Sequence, residues 1–173
     1  IPADDPPERL DTQLDIDTDH ATAPAVACAD IGGGLVLWQS GRGEAADIEG
    51  TLLRVAIPGI DPEQASGLLR PRHVGEVALA HQPPTGKFLA VWRDHRRPPA
   101  PRYHLHGQRL SLADGLLDNP ATPADERDPA VGFPIFETGW QSHPAVACSA
   151  PDGRCLVAWS HGDVGRIDAR LVD

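Results

Sequence analysis

Two cysteines, a group of histidines and an acidic run are the residues whose types and spacing could do chemistry in this chain. Cys148 and Cys155 are separated by Ser-Ala-Pro-Asp-Gly-Arg, and Pro-Asp-Gly is turn chemistry. Two strands joined by such a turn place their sulfurs opposite each other, as a disulfide requires. Closing so short a loop contributes about 2 kcal/mol. A redox switch or two buried thiols are the alternatives for the same spacing. Cys28 occupies the corresponding place in an earlier segment, where Gly34 faces it. Burial as a small apolar side chain is expected for Cys28, with an intermolecular bridge as the alternative.

His104 and His106 alternate on a predicted strand and so share a face, and His95 lies near the end of the strand before it. A His-x-His pair with a third imidazole is a zinc-type arrangement, which makes His95, His104 and His106 the candidate metal set. The matching positions elsewhere in the chain are Asp47 and Glu49, then Arg166 and Asp168. That pattern is a polar outer face, so exposed side chains are the expectation. Asp15, Asp17 and Asp19 invite a calcium loop, but such a loop needs Gly at 20 and Glu at 26, where the chain has His20 and Val26. Alternating Asp on a strand protects an edge from pairing with other chains. There is no Gly-x-Ser-x-Gly, no His-Glu-x-x-His and no phosphate loop, and no cofactor is implied.

The elements that must position these residues recur. Pro24-Ala-Val-Ala-Cys28, Leu35-Val-Leu-Trp38 and Ile48-Glu-Gly-Thr-Leu52 form one set. Glu76-Val-Ala-Leu-Ala80, Leu89-Ala-Val-Trp92 and Leu105-His-Gly-Gln-Arg109 form a second. Pro144-Ala-Val-Ala-Cys148, Leu156-Val-Ala-Trp159 and Ile167-Asp-Ala-Arg-Leu171 form a third. The order is the same each time, the signature of a repeat architecture. The first two parts of each set are short apolar runs bounded by turn residues, as buried strands are, and the third alternates like a half-exposed strand. Asp30–Gly34, Pro83–Gly86 and Pro151–Gly153 supply the hairpin turns. A fourth strand is expected before each Val-Ala run, in Leu14–Asp19, in 65–73 and in Gly132–Thr138. The expected fold is all-β: one repeat domain of three four-stranded antiparallel units, approximately 10–58, 59–112 and 113–173. β-propeller blades fit best, with a β-trefoil as the alternative.

The Pro-x-Val-Ala, Leu-Val-x-Trp and Ile-x-Gly order resembles a repeat of secreted bacterial β-propeller-like proteins. There the Trp strand often runs on into Asp and Arg, and Trp92-Arg-Asp94-His-Arg96 keeps that extension, whereas Trp38-Gln-Ser and Trp159-Ser-His do not. The resemblance covers most of the chain and implies a blade fold. The family hosts adhesins, lectins and accessory domains, so the resemblance implies binding without naming a ligand or a catalytic residue. Trp38, Trp92 and Trp159 share one repeat position and are expected to pack in the core. A site is therefore expected where the copies differ, at Asp94, His95, Arg96, Trp140 and His161. Trp140 lies outside the repeat, where an aromatic ring can stack on sugar.

Composition bounds the rest. Fifteen Lys and Arg against 25 Asp and Glu give a formal net charge of −10, which repels nucleic acid and anionic membranes. No apolar run reaches the roughly 18 residues of a membrane span. The sequence has no Met, and with the paired cysteines this leads to the expectation of a secreted protein whose signal has been cleaved. Closed propellers need four to eight blades, so three units predict a homo-oligomer or further repeats of a parent chain. The expected function is a secreted, non-catalytic, lectin-like binding domain for carbohydrate. The alternatives are a self-assembling structural subunit and a fragment of a secreted hydrolase.

Overall fold

The structure, a computed structural model, describes residues 21–29, 33–41, 47–56, 59–63, 74–94, 104–111, 117–118, 132–136, 139–162 and 165–173. It is all-β, with three antiparallel sheets. The first runs β1 (Thr22–Ala29), β2 (Gly33–Ser40), β3 (Asp47–Ala56), β4 (Gly59–Glu63), in that spatial order. The second runs β5 (Val74–Gln82), β6 (Lys87–Asp94), β7 (His104–Ser111), β8 (Leu117–Asp118), and β9 (Phe133–Phe136) also pairs with β7. The third runs β10 (Gln141–Cys148), β11 (Cys155–His161), β12 (Arg166–Val172). The strands form separate sheets among the described residues, which removes the barrel of a trefoil.

The Val-Ala strand of each unit pairs with its Leu-Val-x-Trp strand, and that strand with the alternating third one. Short antiparallel hairpins dictate this order, since consecutive strands joined by tight turns become neighbours. Gly86 (φ 64°) and Gly153 (φ 69°) supply the left-handed turn residues expected at two of the hairpins. Beside Gly153, the Ser149 side chain and then the Arg154 backbone N–H hold the Asp152 carboxyl below its usual range.

Among the described residues the sheets have four, five and three strands rather than four each. A strand follows the third in two of the units, β4 beside β3 and β8 beside β7. The Gly132–Thr138 segment does contain a strand, but it joins the sheet before it, against Leu105–Gly107 of β7. Contact there is close: a Cβ on Gly107 would lie 2.8 Å from Ile135 Cδ1. Leu14–Asp19 and 65–73 lie outside the described residues.

The sheets stack face to face, and strand alternation decides which side chain meets which neighbour. Ala25, Ala27, Leu35, Leu37 and Ile48 of the first sheet pack on Leu79, Phe88, Ala90 and Trp92 of the second. From the other face of the second sheet, Leu89, Val91, Leu105, Phe133 and Ile135 pack on Val146, Cys155, Val157 and Trp159 of the third. All three repeated Trp are buried, as expected. A buried polar bridge joins the second and third sheets: Gln82 Nε2 donates to the Gly153 carbonyl at 2.8 Å, and Arg109 Nε donates to Gln82 Oε1 at 3.1 Å. Arg109 also donates to the Asp173 carbonyl.

Cys148 and Cys155 face each other across β10 and β11 and are disulfide-bonded. Cys28 faces Gly34, as read from the sequence, but it is exposed rather than buried. Its face of β1 points away from the second sheet, so no sheet covers it.

Replacing Cys148 and Cys155 together by Ser is expected to lower unfolding free energy by about 2 kcal/mol, measured by urea denaturation. Leu89→Ala, in the core between two sheets, is expected to cost about 3 kcal/mol in the same assay.

Candidate functional site

The innermost strands β1, β5 and β10 begin with the same irregularity. The ladder to the next strand shifts register between Thr22 and Ala25, between Gly75 and Val77, and between Ser142 and Ala145. In each bulge a residue other than glycine takes left-handed backbone: Ala23 (φ 50°), Glu76 (φ 46°) and His143 (φ 52°). That conformation costs on the order of 1–2 kcal/mol for a residue with a Cβ. Bulges of this kind re-aim side chains and gather next to functional sites. With Ala25, Ala78 and Ala145 set as equivalents, opposite Leu37, Val91 and Ala158, Ala23, Glu76 and His143 fall at one repeat position.

Strand β5 packs between β1 and β10, and at this end Glu76 reaches across to the third sheet. The His143 backbone N–H donates to Glu76 Oε2 at 2.5 Å, and His143 Nε2 lies 3.8 Å from Glu76 Oε1. Arg93, opposite Gly75 on β6, brings Nη1 to 3.5 Å from the same Oε1. Gly75 makes room for it, because a Cβ there would meet Arg93 Nη2 at 3.0 Å. On the other side of the imidazole, Nδ1 is 3.1 Å from Ser142 Oγ and 3.3 Å from Ser160 Oγ. The two hydroxyls are 2.9 Å apart, and Ser160 Oγ donates to the Ser142 carbonyl at 3.0 Å. The result is a carboxylate held by a guanidinium and a backbone amide, beside an exposed imidazole steadied by two hydroxyls. Such a set can accept and donate hydrogen bonds to a polyhydroxylated ligand, and it has one carboxylate.

The structure places two of the sequence-derived candidates at this strand end. Trp140 is exposed just before β10, and His161 pairs with Gln141. Asp94 is buried at the end of β6 with Oδ2 4.0 Å from His106 Nε2. His95 and Arg96 lie outside the described residues, so the proposed metal set cannot be assembled from them. Among the described residues, no group of three His, Cys, Asp or Glu is placed to hold a metal ion. His104 and His106 are buried, against the expectation of an exposed face. Strand β9 lies beside β7, and the His106 ring stacks against Trp92 at 6.4 Å, so their strand is interior to its sheet.

Asp94 and His106 have a mirrored counterpart one sheet on. His161 and Asp168 occupy the equivalent positions with carboxylate and imidazole exchanged, and Nδ1 lies 3.1 Å from Oδ2. Arg166 grips the same carboxylate with Nε at 2.8 Å and Nη2 at 2.9 Å. These pairs tie the second and third strands of their sheets and belong to the scaffold. Glu76, Arg93, Ser142, His143 and Ser160 were not singled out by sequence reasoning. Aligning the second copy one residue later, on Ala78, would have set Glu76 opposite His143.

No family model and no curated protein matches the chain. Solved structures do resemble it. The catalytic domain of a GH62 α-L-arabinofuranosidase from Coprinopsis cinerea matches 90% of this chain and 47% of its own at 13% identity, TM-score 0.50. A glycosyl hydrolase from Bacteroides ovatus matches 88% of this chain and 46% of its own at 12% identity, TM-score 0.47. A structure from the GH130 family of mannoside phosphorylases and glycoside hydrolases matches 87% and 48% at 14% identity, TM-score 0.38. The chain thus spans about half the length of these structures. The first of them defines the class of fold, three stacked antiparallel sheets as in a glycoside hydrolase domain.

Ala23→Gly is expected to stabilise the protein by about 1 kcal/mol, because glycine adopts the left-handed bulge without strain. A thermal or urea melt reads this directly, and an unchanged or lowered stability would mean the bulge residue is not strained.

Proposed function

We propose that this chain is a carbohydrate-binding module built from successive blades of a β-propeller-like array, with the ligand engaged at the Glu76–His143 end of the inner strands. The observation that carries this reading is the left-handed residue repeated at one position of all three inner strands, with the Glu76 carboxylate accepting from the His143 backbone amide between two of them. Strain kept at one place in every repeat is typical of sites where side chains must be aimed. Exposed Trp140 at the same strand end adds a surface for stacking on a sugar ring. The likeness to an arabinofuranosidase catalytic domain supports a glycan as the ligand class. The disulfide supports a protein that works outside the reducing cytoplasm. Among the described residues no helix is long and apolar enough to cross a membrane.

Binding is favoured over hydrolysis by the residues at the three bulges. Glycosidases as a rule flank the scissile bond with two carboxyl groups. Here the equivalent positions hold Ala23, Glu76 and His143, a single carboxylate. The reading of the chain as part of a larger hydrolase draws on the half-length match to a catalytic domain, in which a second carboxylate would come from other segments.

Binding to a glycan array, followed by calorimetry on the strongest hit, tests the proposal. Glu76→Gln and His143→Ala are each expected to weaken binding by about tenfold or more, the worth of a charged hydrogen bond, while the fold stays intact by circular dichroism. Wild-type affinity in both variants would place the ligand elsewhere. Release of sugar from an arabinofuranoside by the wild type and not by Glu76→Gln would favour the hydrolase reading.

A further inference from the structure

The alternation that builds the stack leaves apolar side chains exposed on its two end faces. Leu35, Leu89 and Leu156 are the same repeat residue, three before the Trp. The first two are 0% exposed, because the next sheet covers them, and Leu156 is 50% exposed. Ile48, Leu105 and Ile167, aligned through their pairing beside the Trp, are 1%, 0% and 68% exposed. At the other end of the stack, Val26 is the equivalent of Leu79 and Val146. Leu79 is buried on the first sheet and Val146 packs on the second, whereas Val26 is 63% exposed.

The far face of the third sheet therefore carries Ala147, Leu156, Ala158, Ile167, Ala169 and Leu171, with the exposed Arg154–Asp173 ion pair at its margin. In a chain of net charge −10, a sheet face whose strand positions are apolar, with Leu156, Ile167 and Leu171 exposed, marks an interaction surface. Its type of side chain is the one that meets a following sheet at both internal interfaces. The open face of the first sheet is the type that meets a preceding sheet. It carries Val26, Val36 and Trp38, of which Val26 is exposed and Trp38 is buried, with Glu49 in the place that His106 fills at the internal interface.

We propose that the two end faces are complementary halves of one interface, occupied by a second copy of this chain. The third sheet of one copy packs on the first sheet of the other, head to tail, as the second sheet packs on the first within each copy. Two copies joined in this way at both ends close a ring of six sheets, within the range at which propellers close, and no sheet face stays exposed. Like-to-like pairing would instead set two faces of one type together, which neither internal interface does.

The test is solution mass of the whole chain by sedimentation at micromolar concentration, with Val26→Asp and Ile167→Asp as variants on opposite end faces. The wild type is expected at the two-copy mass. Each variant is expected to weaken association by at least about a hundredfold, since it buries an unpaired carboxylate, with circular dichroism unchanged. Mixing the two variants is expected to restore two-copy particles, because one wild-type interface re-forms between them. A wild type that stays monomeric throughout overturns the proposal and assigns the faces to additional blades of a longer chain. Loss of pairing in Val26→Asp alone, with Ile167→Asp unaffected, overturns the head-to-tail arrangement.

Discussion

Everything in this molecule depends on one constraint: a sheet whose strands are apolar on both sides must be covered on both sides. The Val-Ala and Leu-Val-x-Trp strands carry Val or Leu and Trp toward one face and Ala and Leu toward the other. Neither face alone is a surface for water. The second sheet, enclosed between the other two, meets the constraint fully, and its residues Phe88, Leu89, Ala90, Val91 and Trp92 are all inaccessible to solvent. The first and third sheets meet it on the face that packs on the second, while on their other faces Val26, Leu156, Ile167 and Leu171 are exposed. The side chains at the internal contacts, the polar bridge from Gln82 to Gly153 and the position of the disulfide follow from this stacking.

Stacking also explains why the candidate site lies where it does. When sheets pack face to face, their first strands come together at one edge of the stack, and the ends of those strands let residues of different sheets meet outside the core. The bulges at Ala23, Glu76 and His143 turn side chains out of the regular ladder at that edge. Glu76 can then reach the amide of His143 across the gap between sheets, which a regular strand residue, aimed into a sheet face, would not do. The strain is kept in all three units, while the chemistry differs in each, so the backbone device is common and the side chains specialise it. The likeness to a hydrolase domain fits a scaffold whose sites vary by what stands at the ends of the inner strands.

Much of the scaffold was legible because it rests on local pattern. Apolar runs between turn residues gave the hairpins, the spacing of Cys148 and Cys155 gave the disulfide, and the repeated Trp gave the core. In the third copy the strand Phe133–Phe136 was assigned to the wrong sheet, because its signal is short and its partner is chosen by the edge left open, which is that of β7. His104 and His106 read as surface because Asp, Glu and Arg fill the matching positions, yet β9 and Trp92 cover them. Glu76 and His143 were missed because a one-residue offset in the second copy hid their equivalence.

By itself the sequence determined that the chain is all-β, that its strands pair as hairpins in repeated units, that the repeated Trp are buried and which cysteines form the disulfide. These are matters of period, turn chemistry and near-neighbour spacing, and they act over a few residues. Tertiary structure alone decided which faces are covered, which leaves Cys28, Leu156 and Ile167 open and encloses the histidines of β7. It alone brought Glu76, Arg93 and His143 together. Those outcomes depend on which sheet lies against which, and the residues that decide this are far apart in the chain.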